Sequence, residues 1–364
     1  MAATFRVGFL LVELFGYVFG MSNEQVESQP SDMSWCYGTV QNVSRTFALT
    51  IAELEEPMAG EICVGYLLCR IADTVEDATH IPPADQYDLL RSYSRALDPD
   101  DAMTIEDFRA AVQPHVPVSP GDDWTVVAEA PRVVATFRDL PAPSREVIRP
   151  SVRELTDGMA EFVDRYAEEG GIRIQSLTEL EEYCWYVAGT IGLFVTQLLV
   201  EDVDPDRREA FEDNATAFAR LLQLVNVAKD VDADYREEDN VYLPDGLLAA
   251  EGLSAADIDD PAKTDDFAPV VSRIADRAEG YLDGAQTWLE AMPETRGNTL
   301  AAWAIPFLLA AGTIRELQAR PEDVFEGGVK VSREEVYALL DRFEKEEPSL
   351  EELRQEMRAG SLSQ

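Results

Sequence analysis

Along most of the chain apolar residues recur at steps of three and four, the spacing that lines one face of an α-helix. The pattern predicts helices over 35–54, 58–78, 84–98, 104–114, 125–139, 144–168, 178–200, 206–235, 264–291, 298–319 and 332–360. Pro57, the pair Pro82–Pro83, Pro141, Pro143 and the pair Gly170–Gly171 punctuate it. Residues 115–124 and 321–331 read as loops, and 239–262 as an irregular connector. The Asp- and Pro-rich stretch near 255–268 reads as a mobile surface loop, and Pro306 as a kink inside an apolar helix. No alternating run of strand length and no internal repeat is visible. The expected fold class is all-α: one helical domain over 33–340, an N-terminal extension over 1–32 and a charged helix or tail over 341–364.

Two apolar stretches raise the question of a membrane. Residues 7–19 are apolar but carry Glu13, are too short to span a bilayer and lack a clear cleavage site. Translation starting at Met21 is the favoured explanation, a short membrane-contacting helix the other. The apolar middle of 178–200 is flanked closely by Glu181, Glu182, Glu201 and Asp202, and reads as a core helix. Nothing near the C-terminus reads as a membrane span.

Charge changes the picture most. With 70 acidic and 30 basic side chains in 364 residues the net charge is −40, while 46% hydrophobic content suffices for a sizeable core. Such a field repels nucleic acid and anionic surfaces and strains the compact state unless salt screens it. Only four of the basic residues are lysines: Lys229, Lys263, Lys330 and Lys345. The acidic, lysine-poor composition resembles that of haloarchaeal cytosolic proteins, the alternative being an ordinary acidic protein. Four cysteines and two histidines, without a CxxC pair or a Cys/His cluster, argue against structural zinc.

Against this acidic background four groupings could carry chemistry. Asp73 and Asp77, with Glu76 between them, close an apolar helix, and their i,i+4 repulsion makes sense if a divalent cation neutralises it. Gln223, Asn226, Lys229, Asp230 and Asp234 share roughly one face of a second helix. Amides and a rare lysine among leucines and valines demand partners. Two such helices facing each other would clamp a diphosphate through magnesium; the competing explanation is general surface acidity. Ser44-Arg45-Thr46-Phe47 offers phosphate donors or a helix cap, and Arg70 adds a cation one turn before Asp73. Tyr183 and Tyr186, followed by Gly189 and Gly192, suit either cation stabilisation or helix packing.

Taken together, WCYGTVQNVSRTFAL, CVGYLLCRIADTVED, TFRDL, GMAEF, YCWYVAGTIGLF and LLQLVNVAKDVDAD followed by VYLP resemble, in order, the squalene/phytoene synthase family. VFEGGVKVS (324–332) is similar to its squalene branch. The resemblance implies the isoprenoid synthase fold around a central cavity, and head-to-head condensation of two farnesyl diphosphates to presqualene diphosphate. NADPH would then reduce that intermediate to squalene. It implies magnesium at Asp73, Glu76, Asp77, Asn226, Asp230 and Asp234. Ser44, Arg45, Thr46, Arg70 and Lys229 would hold diphosphate, beside Gln223, and Tyr183 would handle a proton. Tyr66 would be another active-site tyrosine, Phe47, Ile191 and Leu222 would border the prenyl or cation pocket, and Lys330 would meet NADPH phosphate. The runners-up are a phytoene synthase using geranylgeranyl diphosphate, a dehydrosqualene synthase without reduction, and a non-catalytic helical binding protein.

The chain departs from the family pattern at Lys229, usually arginine; at Ala78, often aspartate; at Ser332, usually arginine; and at Asp239-Asn240, usually Gly-Arg. The expected protein is a cytoplasmic monomer with peripheral membrane contact for product release. If its charge strains the compact state, salt should relieve it. Raising KCl from about 0.1 M to about 1 M shortens the screening length from about 10 Å to about 3 Å. The urea unfolding midpoint is expected to rise over that interval; a flat or falling midpoint would refute the repulsion argument.

Overall fold

The computed structural model describes residues 32–325, 328–345 and 349–362, without the side chains of 45, 46, 344 and 345. The readings made on residues 1–31 therefore lie outside the described residues. In chain order the first helices are α1 (Asp32–Val43), α2 (Arg45–Ala52), α3 (Met58–Glu76), α4 (Pro83–Leu97), α5 (Ile105–Val112), α6 (Asp122–Ala128), α7 (Ala130–Asp139) and α8 (Ala142–Arg165). They are followed by α9 (Leu177–Cys184), α10 (Thr190–Leu199), α11 (Pro205–Asp213), α12 (Ala217–Lys229), α13 (Val231–Glu238) and α14 (Asp245–Ala250). The last are α15 (Ala268–Glu279), α16 (Leu282–Ala291), α17 (Leu300–Ala319), α18 (Arg333–Lys345) and α19 (Leu350–Ala359). No sheet occurs among the described residues; one parallel bridge joins Arg173 to Val241.

Several expected helices are broken, one of them by a side-chain cap. Ser44 splits 35–54: its hydroxyl accepts from Phe47 N at 3.2 Å and caps α2. The 125–139 segment breaks at Glu129, and 264–291 breaks at Gly280. The long helix expected over 206–235 is three helices, with breaks around Asn214–Thr216 and at Asp230. The loop expected over 115–124 ends earlier, because α6 begins at Asp122. The stretch read as a mobile loop forms 3-10 turns at Ala255–Asp259 and Thr264–Phe267, anchored by buried Ile258 and Phe267. Between α9 and α10 the chain makes a π-turn, Trp185–Gly189, a wider winding often found beside functional sites.

α3 is the central element. Every residue from Met58 to Glu76 except Asp73 is buried, and α1, α4, α6, α7 and α8 surround it. α12 faces the opposite side of the interior, packed on α15, α16 and α17, while α10 and the π-turn bridge between α8 and α12. Two helical stretches, Leu177–Asp202 and Leu300–Ala319, are long and apolar enough to cross a membrane, but 67% and 72% of their apolar windows is buried inside the protein. They behave as core helices. The cysteines Cys36, Cys63, Cys69 and Cys184 are free and buried, as small core residues should be.

One ion pair whose acid is buried ties this frame together. Glu61 of α3, fully buried, accepts from Ser144 of α8 at 2.5 Å and from Arg296 at 2.6 Å. Arg296 has φ 54, and a second guanidinium nitrogen donates to the Leu198 carbonyl of α10. Beside it Gly297 (φ 82) lies so close to Glu55 that a Cβ would stand 2.1 Å from its carbonyl oxygen, so only glycine fits. Arg296→Met leaves the Glu61 carboxylate buried without its cation, a loss of about 3 kcal/mol. The expected result is a matching fall in urea-unfolding free energy, partly restored in the double variant Glu61→Gln/Arg296→Met.

Candidate active site

The same face of α3 and of α12 runs from apolar wall to acidic tip. On α3, Tyr66, Cys69 and Asp73 stand at i, i+3 and i+7, one stripe of a helix. On α12, Ala219, Leu222 and Asn226 repeat the spacing, and Asp230 follows one turn later. Tyr66, Cys69, Ala219 and Leu222 line an apolar cavity of about 70 Å³. Asp73, Asn226 and Asp230 therefore sit where each stripe leaves that wall. Phe47 and Ile191 also line it, Phe47 stacking on Tyr66 with ring centroids 4.3 Å apart. Phe218, Trp288 and Trp303 complete the wall. Each indole N–H is bonded within the protein, Trp288 to Thr196 at 2.9 Å and Trp303 to Asn298 at 2.7 Å, which leaves the rings for the wall. Aromatic faces of this kind attract positive charge.

At the acidic end, Arg70 is fully buried and bridges two carboxylates. It reaches Asp73 at 2.6 Å and Asp123, at the start of α6, at 2.7 Å. Asp77 terminates α3. Across the site Asn226 and Lys229 are buried, Gln223 is half-buried, and Lys229 bonds the neighbouring Asp230. Asp234 is buried in the first turn of α13. Among the described residues no three Asp, Glu, His or Cys side chains converge into a ready-made metal cage. Asp73 and Asp230 are engaged with Arg70 and Lys229 instead. Glu76 Oε1 and Asn226 Nδ2, buried in the same region, have no hydrogen-bond partner.

From the acidic tip of α3 a buried chain of hydrogen bonds runs to the segment that follows α13. Tyr183 of α9 donates to Glu76 Oε2 at 3.3 Å, and its hydroxyl pairs with that of Tyr242 at 3.0 Å. The Tyr183 and Tyr242 rings stack at 4.9 Å. Asn240 Nδ2 donates to the Tyr242 hydroxyl at 3.2 Å, and Asn240 Oδ1 accepts from Ile172 N at 2.8 Å. Burial pushes the Glu76 carboxyl well above the usual range, and the charge of Asp73 adds to it. Burial, then the charge of Glu76, likewise raises both phenols. Burial also lifts Tyr66, to about 12. A polar cleft of about 340 Å³ opens beyond, lined by Glu76, Asp77, Gln86, Tyr166, Glu238 and Asn240.

The remaining expected residues are placed as follows. Ser44 is buried and caps α2, while the side chains of Arg45 and Thr46 lie outside the described residues. Gly189 packs against Trp185, as helix packing requires, while Gly192 both packs against the Ala215 carbonyl and lines the apolar cavity. Lys330 is exposed, in the segment before α18. Ser332 bonds Glu335, which pairs with Arg315 of α17. The turn Pro321–Phe325 that precedes this segment packs on α13. Sequence reasoning passed over Asp123, Trp288, Trp303 and the joint role of Asn240 and Tyr242; only the VYLP motif offered a signal for the last.

An all-helical shell around an apolar cavity with two acidic helix tips defines the isoprenoid-synthase class of fold. The squalene/phytoene synthase family model matches residues 40–335, and the chain belongs to that family. It is 29% identical over 312 residues to Botryococcus squalene synthase of Botryococcus braunii, covering 85% of this chain and 62% of that protein. It therefore spans less than two thirds of that relative's length. To presqualene diphosphate synthase of the same organism it is 24% identical, covering 91% of this chain and 77% of the relative. To squalene synthase 1 of Arabidopsis thaliana it is 25% identical, covering 88% and 74%. A TcSQS complex superposes with a TM-score of 0.69 at 22% identity, covering 91% of this chain and 98% of that one. A dehydrosqualene synthase crystal structure superposes with a TM-score of 0.59 at 20% identity, covering 90% and 97%. These superpositions establish the fold.

The raised Glu76 carboxyl has a stability consequence. Between the ordinary carboxylate pKa and the raised one the folded state holds a proton that the unfolded state has lost, so stability falls as pH rises through that window. In metal-free buffer Glu76→Gln removes this loss. The expected outcome is a higher urea midpoint than wild type at pH 7 and no gain below about pH 4. A lower midpoint at pH 7 would mean that the folded site favours the ionised carboxylate.

Proposed function

We propose that the chain condenses two farnesyl diphosphates head to head into presqualene diphosphate and reduces that intermediate with NADPH to squalene. The observation that carries this reading is that the helical stripes of α3 and α12 that line the apolar cavity each run on to an acidic tip. A prenyl chain needs the cavity and its diphosphate, with counter-ions, the tips. The names of the similar proteins point to the same pair of half-reactions, and the catalytic unit is the domain over 33–340.

The donor set suits magnesium. Magnesium takes one or two carboxylates from a protein and completes its shell with water and substrate phosphate, so a preformed cage is not required. Asp73, Glu76, Asp77, Asn226, Asp230 and Asp234 would hold it, and the unpartnered Glu76 Oε1 fits that role, while the unpartnered Asn226 Nδ2 can only donate and suits a phosphate oxygen. Bound there, magnesium supplies charge neutralisation for the departing diphosphate. Ser44, Arg45, Thr46, Arg70, Gln223 and Lys229 orient the diphosphates at the mouth. Tyr66, Phe47, Ile191 and Leu222 hold the prenyl chains, and the Trp288 and Trp303 rings favour positive charge while the dry wall keeps water from quenching a carbocation. Tyr183, bonded to Glu76, manages the proton lost as the cyclopropane closes. NADPH supplies hydride for the second half-reaction, with Lys330 meeting its phosphate.

The same reading makes the protein a cytoplasmic monomer that touches the membrane peripherally to release product. Its acidic surface suits the molar salt of a haloarchaeal cytosol. The test is farnesyl diphosphate with magnesium in high salt, with and without NADPH. Squalene is expected only with NADPH, and presqualene diphosphate is expected to accumulate without it. Asp77→Asn and Asp230→Asn are each expected to reduce turnover to background with an unchanged helical circular-dichroism spectrum. Turnover confined to geranylgeranyl diphosphate, giving phytoene, would replace this proposal with a phytoene synthase.

A further inference from the structure

Asn240 lies outside the catalytic roles assigned above, yet it closes the hydrogen-bond chain that reaches Tyr183. We infer that Asn240 is a positioning residue that fixes the direction of this chain and thereby aims the Tyr183 hydroxyl at Glu76; its functional consequence rests on the reading of Tyr183 just proposed.

Donor and acceptor inventory sets the direction. The Ile172 backbone N–H can only donate, so the amide oxygen of Asn240 must face it, at 2.8 Å. The amide nitrogen then faces Tyr242, at 3.2 Å, and it too can only donate. The Tyr242 oxygen accepts that hydrogen, leaving its own hydrogen for the Tyr183 oxygen 3.0 Å away. Tyr183, accepting from Tyr242, turns its hydrogen toward Glu76 Oε2, at 3.3 Å. Asn240, Tyr242, Tyr183 and Glu76 are all buried, so bulk water has little access with which to scramble the order. The amide is itself held by its backbone. Arg173 pairs with Asp239 at 2.5 Å, and Val241 N donates to Ile172 O at 2.8 Å. Gly171 packs so tightly on the Asp239 carbonyl that a Cβ would lie 1.9 Å from it.

Asn240→Asp keeps the shape and exchanges a donor for an acceptor. Ile172 N still finds an oxygen, but Tyr242 now donates to residue 240 and no longer to Tyr183. The expected result with farnesyl diphosphate is a fall in kcat of about 10–100-fold, the range for an outer-shell partner, with KM nearly unchanged. Tyr242→Phe is expected to lower kcat similarly, and the double variant Asn240→Asp/Tyr242→Phe to do no more than Tyr242→Phe alone, because Asn240 acts through Tyr242. Additive losses, or wild-type kcat in Asn240→Asp, overturn the inference. A readout without substrate stands beside these. In the Raman difference spectrum of wild type minus Tyr242→Phe, the tyrosine doublet is expected to show that Tyr183 has lost an accepted hydrogen bond. Absence of that change overturns the inference even if Asn240→Asp fails to fold. If the wild-type protein does not turn over farnesyl diphosphate, the proposed function fails and the Raman result alone decides the role of Asn240.

Discussion

The interior of this protein has to accept a helix that ends in negative charge. α3 is buried along nearly its whole length, so its last turn delivers Asp73, Glu76 and Asp77 to a place where water cannot solvate them fully. An isolated buried carboxylate is among the costliest groups a fold can hold. The surroundings answer residue by residue. Arg70 neutralises Asp73 and draws in Asp123, Tyr183 donates to one Glu76 oxygen, and the other oxygen is left unpartnered. The frame that keeps α3 in this position depends on a second buried acid, Glu61, whose partners come from α8 and the chain before α17.

Local stability and chemistry pull in opposite directions here. A core built for stability alone would replace Glu76 with an apolar residue, and would fill the cavity that Phe47, Tyr66, Leu222 and the tryptophans enclose. The raised carboxyl and the open apolar space are both departures from close packing, and both lie along the same helical stripes. Such local concessions, offset elsewhere by a well-filled core, mark functional sites.

Much of this was legible in the chain because the strongest signals are local. The apolar run of α3 ending in DTVED, and the amides and lysine of α12 preceding Asp230, can be read within one helix. The helix breaks at Ser44, Glu129 and Asp230 could not, because apolar periodicity continues across them and only cap geometry reveals them. Asp123 was hidden among 70 acids; nothing but its distance to Arg70 distinguishes it. The Glu76–Tyr183–Tyr242–Asn240 chain joins three segments far apart in sequence, and no spacing rule connects them. The indoles of Trp288 and Trp303 sit at ordinary core positions of amphipathic helices, and only the cavity gives them a second use.

The π-turn at Trp185–Gly189 sets the relation between the two halves of its helix. In an unbroken α-helix, advancing about 100° per residue, Ala188 would lie roughly 140° around the axis from Tyr183. One residue's worth of wider winding removes about 100° of that offset. It brings the face of Ala188, Ile191 and Val195, which lines the cavity, close to the direction of Tyr183. The phenol at the acidic tip and the apolar wall are thus phased by a single residue of chain length. In an alignment of such proteins, a one-residue gap within this stretch would not be a neutral length polymorphism. It would rotate one half of the candidate site against the other, and so mark a lineage whose site geometry has diverged.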